Sequence, residues 1–421
     1  MSETLESGKS VGSSASPARL VYAIPALGVA QIASWGSLYY AFAVLSKPIQ
    51  AELQLSQPVL FGAFTLALLT SSLNAPRVGK AIDRFGGKAI LCAGSVVAAT
   101  ALLALASATN VWTVYAAWVL AGLAMPMALY DPAFATLHQI DASRYRRSVS
   151  TLTLFGGFAS TAFWPLTAYL NAEVGWRVTL MMFAAIQVAI CLPLHALILP
   201  RLSGSAPTQS EVISPATGLP ARQVTERRFY LLGGAFAAAL FVFGALSVHL
   251  LNLLQVGGLT TAQAVMVATV IGPMQVTGRV MELFFAKKLQ PAQVGRLSLG
   301  LLFVALMLLA CSSGSLAVGF GFAAVYGLSN GLLTIVRGTL PAELFPSIPV
   351  GSLLGRLARP TLLSMALAPL CFSFVSASGL PFTARVLALS GLALLALLLL
   401  IAATRKPSIE PLLACEAKVK G

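Results

Sequence analysis

Gly79-Lys80-Ala81-Ile82-Asp83-Arg84-Phe85-Gly86-Gly87-Lys88 lies between two apolar runs, 57–76 and 88–108. Four of these ten residues are charged, in a chain where only 10% are. A run of about 20 apolar residues crosses the ~30 Å hydrocarbon core of a bilayer. The decapeptide therefore reads as the cationic turn of a membrane hairpin. Gly79 permits close helix approach and Gly86 a tight turn. Asp83 can accept from a helix N-terminus or an arginine, while Arg84 and Lys88 anchor the polar side.

Outward from this turn the pattern repeats. The 421 residues are 57% hydrophobic, with a mean hydropathy of +0.86. A soluble domain carries about 25% charged residues, so a soluble globule, a disordered chain and a fibre are excluded. Unbroken apolar runs, rather than alternating ~10-residue segments, disfavour a β-barrel. Hydropathy breaks predict twelve spans at 21–45, 57–76, 88–108, 112–137, 149–170, 177–199, 229–254, 262–286, 295–313, 315–337, 351–377 and 384–404. The ninth and tenth are divided only by Gly and Ser around Gly314. The expected fold is an all-α membrane protein of twelve transmembrane helices in two six-helix bundles.

The net charge of +14 reads as topology, not as nucleic-acid binding. Arg77, Lys80, Arg84 and Lys88; Arg144, Arg146 and Arg147; Lys287, Lys288 and Arg296; and Arg356 and Arg359 follow spans two, four, eight and ten. The opposite side holds only Lys47, Arg177 and Arg385. The positive-inside rule then makes the first set and both termini cytoplasmic. Residues 1–19 have no signal-peptide pattern and read as a disordered cytoplasmic N-terminus. Residues 200–228, with Pro207, Pro215 and Pro220, read as a flexible linker between bundles 20–199 and 229–404. Residues 405–421 form a cytoplasmic tail. Gly122 and Gly327, 205 residues apart, hint at an internal repeat. The five cysteines lack metal-ligand spacing and read as small hydrophobes. No metal or cofactor is expected, and the lipid bilayer is the expected surrounding of a monomer.

The 79–88 segment resembles the G-x-x-x-D-R-x-G-x-[RK] loop of the major facilitator superfamily. The twelve-span layout, the central linker and Gly175-Trp176-Arg177 before span six are also similar to that superfamily, over residues 20–404. Ser34-Trp35-Gly36-Ser37-Leu38-Tyr39-Tyr40, Lys47-Pro48 and Leu55-Ser56 resemble bacterial members related to monocarboxylate and oxalate/formate porters. Ala33 and Ser34 stand where the monocarboxylate group typically has an acid. Gly156-Gly157 lack the preceding Gly-Pro of drug exporters. The resemblance implies two pseudo-symmetric bundles around a cavity lined by spans 1, 4, 7 and 10. It also implies alternating access by rocking of the halves, a bacterial inner-membrane location, and a gating role for Gly79, Asp83 and Arg84.

Intramembrane polar groups are costly and usually face a cavity or one another, so they mark candidate sites. Gln31, Trp35 and Tyr39 are spaced by four and share a helix face. They form either an aromatic-polar wall for an organic solute or an interfacial belt, which Tyr40 fits better. Tyr130-Asp131-Pro132 puts an acid in span four. Asp131 either carries a coupling proton, pairs with an arginine of the other half, or pairs with Arg144, Arg146 or Arg147. His249 and Asn252 lie toward the outer end of span seven, as a binding pair or as structural groups. Arg279 and Glu282, at i and i+3, can pair with each other. Otherwise Arg279 holds an anion and Glu282 carries a proton; an eighth-span arginine is similar to that of oxalate- and monocarboxylate-type porters. Tyr326, Asn330, Thr334 and Arg337 form a polar stripe on span ten, with Arg337 either binding solute or gating against Glu343 or Asp131. Gln187 and His195 are further candidates.

No G-x-x-x-x-G-K-[ST] loop is present, so ATP use is not indicated. H-E-x-x-H and paired aspartates across spans are absent, so an enzyme is not expected. The expected function is secondary transport of a small organic solute, a carboxylate among the options, coupled to protons. The alternatives are efflux of an amphipathic toxicant and a non-transporting receptor.

Overall fold

The computed structural model describes residues 17–201, 221–285, 288–312, 314–377 and 379–405. The expectations for most of the N-terminus, linker and tail, and for Lys287, lie outside these residues. Among the described residues the regular structure is helical. Eleven helical stretches are long and apolar enough to cross a membrane. One of them, Tyr145–Ile198, has 54 residues and would be about 80 Å long as a single helix. It is two crossings, because Gly175 has φ 77 and ψ 165 and breaks the helix. Twelve spans result.

They are α1 (Val21–Leu53), α2 (Gln57–Phe85), α3 (Gly87–Ala106), α4 (Val111–Ile140), α5 (145–174) and α6 (176–198) in the first half. The second half holds α7 (Ala221–Val256), α8 (Thr261–Phe285), α9 (Pro291–Ala310), α10 (Leu316–Leu344), α11 (Val350–Ala377) and α12 (Phe382–Thr404). The start of α1, the end of α12 and the connections α2–α3, α4–α5, α8–α9 and α10–α11 share one end of the molecule, called the basic end below.

Several helices outrun their apolar spans. α2 continues through Asp83-Arg84 to Phe85, so the expected turn at 79–88 is mostly helix and only Gly86 (φ 82) leaves it. α10 runs seven residues beyond Arg337, to Leu344. Hydropathy reports where the lipid ends. A helix ends where its terminal carbonyls find other partners.

The halves repeat in packing. α2 lies on α4, α3 on α4 and α6, and α1 on α5 and α6. The matching pairs in the second half are α8 on α10, α9 on α10 and α12, and α7 on α11 and α12. Gly122 and Gly327 occupy matching places. A Cβ on Gly122 would stand 2.4 Å from the Ala67 carbonyl of α2, and one on Gly327 would stand 2.6 Å from the Ile271 carbonyl of α8. Each bundle has its own apolar core. A third cluster, at the basic end, joins Phe134, Tyr145 and Val149 of the first bundle to Ile335, Val350 and Leu354 of the second.

The bundles meet through α2 on α11, α5 on α8 and α10, and α4 on α11. α8 packs on α5 over Tyr145–Gly157, the half of α5 nearest the basic end. The outer half of α5 does not share that seam.

Candidate functional site

The site grows from two helix irregularities. In α1, Gly36–Tyr40 is a single π-turn, with the Ala41 amide donating to the Gly36 carbonyl. A π-turn closes over five residues instead of four and often marks a functional position. It brings Tyr40, five residues after Trp35, onto the face that spacing by four reserves for Tyr39. Trp35 thus packs against Tyr39 at 5.5 Å and Tyr40 at 6.1 Å between ring centroids. Tyr40, expected at the interface, belongs to this wall instead.

In α4 the break is at Leu129 (φ −87, ψ −154). Pro132 has no amide hydrogen and leaves the Ala128 carbonyl without its helical donor. Gln31 takes it: its Nε2 donates to the Ala128 oxygen at 2.9 Å and to the Leu129 oxygen at 3.2 Å. Gln31 is fully buried and braces the break, instead of standing with Trp35 among the rings. The break presents Tyr130 to Trp35, 5.1 Å between rings, and Phe134 stacks behind it at 5.2 Å.

Arg279 of α8 completes the cluster. Its side chain lies about 9 Å inside the end of α8, six residues from Phe285. It is 5% exposed and within electrostatic range of Tyr40 and Tyr130. Its Nη1 donates to the Thr153 carbonyl of α5 at 2.9 Å, and its Nε has no partner. The pair with Glu282, one of the two alternatives, does not form, because the Glu282 carboxylate is taken by Arg146 and Ser150. Among the described residues Arg279 has no carboxylate partner. The indole Nε1 of Trp35 is a second buried donor without an acceptor. Gly156 and Gly157 make the room. A Cβ on Gly156 would stand 2.0 Å from the Tyr130 hydroxyl, and one on Gly157 would stand 2.5 Å from Arg279 Nη1. The sequence signal for that role was a bare Gly-Gly in a span of larger residues.

Toward the basic end, Asp131 and Arg337 are half-buried and within electrostatic range of each other. Among the described residues neither makes a hydrogen bond or direct ion pair through its side chain. Asp131 does not pair with Arg144, Arg146 or Arg147, nor Arg337 with Glu343. Next to Arg337 the seam tightens. Tyr145 donates its hydroxyl to the Gly338 carbonyl at 2.6 Å, and a Cβ on Gly338 would strike Phe134 at 2.7 Å.

Two latches close this end. Asp83 of α2 accepts from the Gly351 amide at 2.9 Å and from the amide and hydroxyl of Ser352, at the first turn of α11. The carboxylate thus takes the helix N-terminus, where negative charge is favoured. Gly79 sits against Gly351 and Gly355, and a Cβ on it would stand 2.2 Å from the Gly351 carbonyl. Arg84 is exposed and lies over the Phe85 ring. Glu282 of α8 accepts from Arg146 Nε at 2.9 Å and from the Ser150 hydroxyl, both on α5.

The remaining candidates lie elsewhere. His249 contacts the Pro369 carbonyl at 2.9 Å and the Phe372 ring, inside the second bundle. Asn252 is exposed near the outer end of α7. Tyr326 is packed between Phe243 and Phe322. Asn330 is half-buried, and its carbonyl accepts from the Thr334 hydroxyl. Gln187 reaches Ser34 and Ser37, and His195 reaches Ser95. Polarity alone singled out these residues; many of their partners lie within their own bundle.

Comparison with known proteins agrees with this architecture. The human organic anion transporter MFSD10 (TETRAN) superposes with a TM-score of 0.70 at 17% identity, over 91% of this chain and 100% of that one. FucP, a Major Facilitator Superfamily transporter in the outward conformation, gives 0.67 at 12% identity, over 92% and 100%. No curated protein sequence matches the chain significantly. The family model of the Major Facilitator Superfamily matches residues 27–358, and with twelve spans in two repeated bundles the chain belongs to that superfamily of membrane transporters.

Proposed function

We propose that the protein is a proton-coupled secondary transporter of a small organic anion, with a carboxylate as the charged group. The observation that carries this reading is Arg279. A buried arginine without a counter-ion is expensive, and inside a membrane such a residue marks a solute path. The vacant donors of Arg279 and Trp35, inside a ring of Tyr40, Tyr130 and Trp35, suit an anion with an organic body. The likeness of the Trp35–Tyr40 stretch to monocarboxylate-type porters supports the same class.

By the positive-inside rule the basic end faces the cytoplasm of a bacterial-type inner membrane. With the bundles joined there, the site opens outward. Alternating access then requires both latches to release while the outer halves of α5 and α8 come together. We assign the coupling proton to Asp131. It is half-buried beside Arg337 without a fixed partner, whereas Glu282 is held by Arg146 and Ser150. A proton on Asp131 changes the charge opposite Arg337, between the site and the closed seam.

The test is flux into proteoliposomes under an imposed pH gradient, with a panel of labelled carboxylates. Accumulation of at least one is expected. Arg279→Gln should abolish it, and Asp131→Asn should leave exchange but lose accumulation. The same aromatic wall would suit an amphipathic cation if Arg279 were not a binding group. Uptake of such cations with no carboxylate transported would replace the anion reading with efflux. No flux of either class would point to a receptor.

A further inference from the structure

One open space in the first bundle is lined almost entirely by carbon. A groove of about 590 Å³ runs along the outer half of α5, lined by Ala43, Val44, Thr161, Trp164, Pro165 and Ala168, with Ser160 beside them. Its direction is the informative point. Gly157, Thr161, Trp164 and Ala168 lie at i, i+4, i+7 and i+11, so they form one stripe of the helix. Gly157 on that stripe faces Arg279 and Val276 of α8, across the bundle boundary. The groove therefore opens toward the opposite bundle, above the seam that α5 and α8 share, and is not simply a lipid-facing surface. Trp164 and Tyr40 join the groove to the site. Their rings are 6.0 Å apart, and Tyr40 is in electrostatic range of Arg279.

We infer that the solute is an amphipathic monocarboxylate, its carboxylate on Arg279 and its apolar body in the groove along α5. This rests on the anion reading of Arg279 and narrows it. The distances are compatible. From Gly157 to Trp164 is seven residues, about 10 Å along the helix axis, and to Ala168 about 16 Å. An unbranched medium-length chain or an aryl-alkyl group spans that distance, and a two- or three-carbon acid leaves it empty. The lining matches such a body: carbon surface on both walls, with the hydroxyls of Ser160 and Thr161 as the polar exceptions. Trp164 is 48% exposed, a large aromatic face held open where a solute would lie. Burying apolar surface there favours longer chains by about 0.8 kcal/mol per CH₂, roughly fourfold in affinity for each carbon fully covered.

The test compares binding of decanoate and acetate to the full chain in lipid nanodiscs at pH 8, with empty nanodiscs as the blank. Decanoate should bind at least tenfold more tightly than acetate. Thr161→Trp, which fills the groove, should remove that advantage and leave acetate unchanged. Trp164→Ala, at a half-exposed position with little packing to lose, should weaken decanoate alone, by severalfold. Arg279→Gln should weaken both probes. Equal affinity for the two acids, or decanoate binding that survives Thr161→Trp, overturns the groove assignment while the anion site stands. Binding of both acids undiminished in Arg279→Gln overturns the anion site and this inference with it. Phospholipid carried through purification and occupying the groove also overturns it, because the occupant would then be bilayer lipid.

Discussion

The two seams that join the bundles at the basic end occupy matching places and are built differently. α2 and α8 are equivalent under the repeat, as are α5 and α11; Tyr145 and Val350, where α5 and α11 begin, are 205 residues apart, like Gly122 and Gly327. On the α2–α11 seam the contact is backbone against backbone. Gly79 touches Gly351 and Gly355, and Asp83 caps the first turn of α11 from the opposite bundle. On the α5–α8 seam side chains make the contact, Glu282 with Arg146 and Ser150 and Arg279 with the Thr153 carbonyl. The turn before α5 is braced locally: Asp141 accepts from the Ser143 and Arg144 amides at 2.9 and 3.3 Å, ahead of the first helical residue. Parting the bundles therefore strips α11 of its cap and leaves the turn before α5 intact. One seam depends on shape and a borrowed helix terminus, the other on an ion pair that can be exchanged for water.

The largest expected effect comes from the seam without slack. Gly79→Leu puts a side chain where even a Cβ meets the Gly351 carbonyl at 2.2 Å. Neither backbone can yield without moving a helix. We expect the basic end to stay parted and transport to be lost, read as an increased distance between spin labels on α2 and α11. An unchanged distance would show that the close approach is not needed for closure.

Next is the ion pair. Glu282 has 1% of its side chain exposed and Arg146 has 22%. Removing one member of a buried pair costs about 3–5 kcal/mol, and the partial exposure of Arg146 lowers this to about 2 kcal/mol. Glu282→Gln should shift the population toward the parted form and leave α2–α11 label distances intact within the closed fraction. If both seams open together, the two latches are one cooperative unit and the contrast drawn here fails.

The smallest effect is on the Asp141 turn. Hydrogen bonds, first from the Ser143 side chain, hold the Asp141 carboxyl below the ordinary carboxylate range. With a depressed pKa, its contribution is present above the unfolded value near pH 4 and is lost as pH falls through the lower folded value. Asp141→Asn should lower thermal stability slightly at pH 7, by no more than ~1 kcal/mol, an effect that fades as pH falls through the lower folded value. It should leave both seams unchanged. A change in label distance on either seam would show that Asp141 takes part in the latch.

Much of the fold was legible before any tertiary contact was known. The bilayer imposes one length and one composition on every span, so the hydropathy breaks fall at the described connections between spans, the break at 170–177 that holds Gly175 among them, and the cation-rich connections gather at one end. Hydropathy did not show how short that connection is: Gly175 alone, with its positive φ, divides α5 from α6. Within the site, Trp35, Tyr39, Tyr130 and Arg279 were legible as costly or amphipathic groups inside apolar runs. Tyr40 was missed because spacing by four assumes an unbroken α-helix. The space made by Gly156 and Gly157 was missed because the groups that fill it come from α4 and α8.

The sequence by itself determined the solvent, the number of crossings, the charge-bearing side and the family, because each is a sum over local composition or a contiguous motif. Which polar groups find partners was decided only by tertiary structure. Glu282 is three residues from Arg279 and pairs with Arg146, while Gln31 braces a helix break created by a proline in α4. The physical reason is that in a low-dielectric interior a polar group is satisfied by whatever donor or acceptor the packing brings within about 3 Å, and packing is a property of the whole chain.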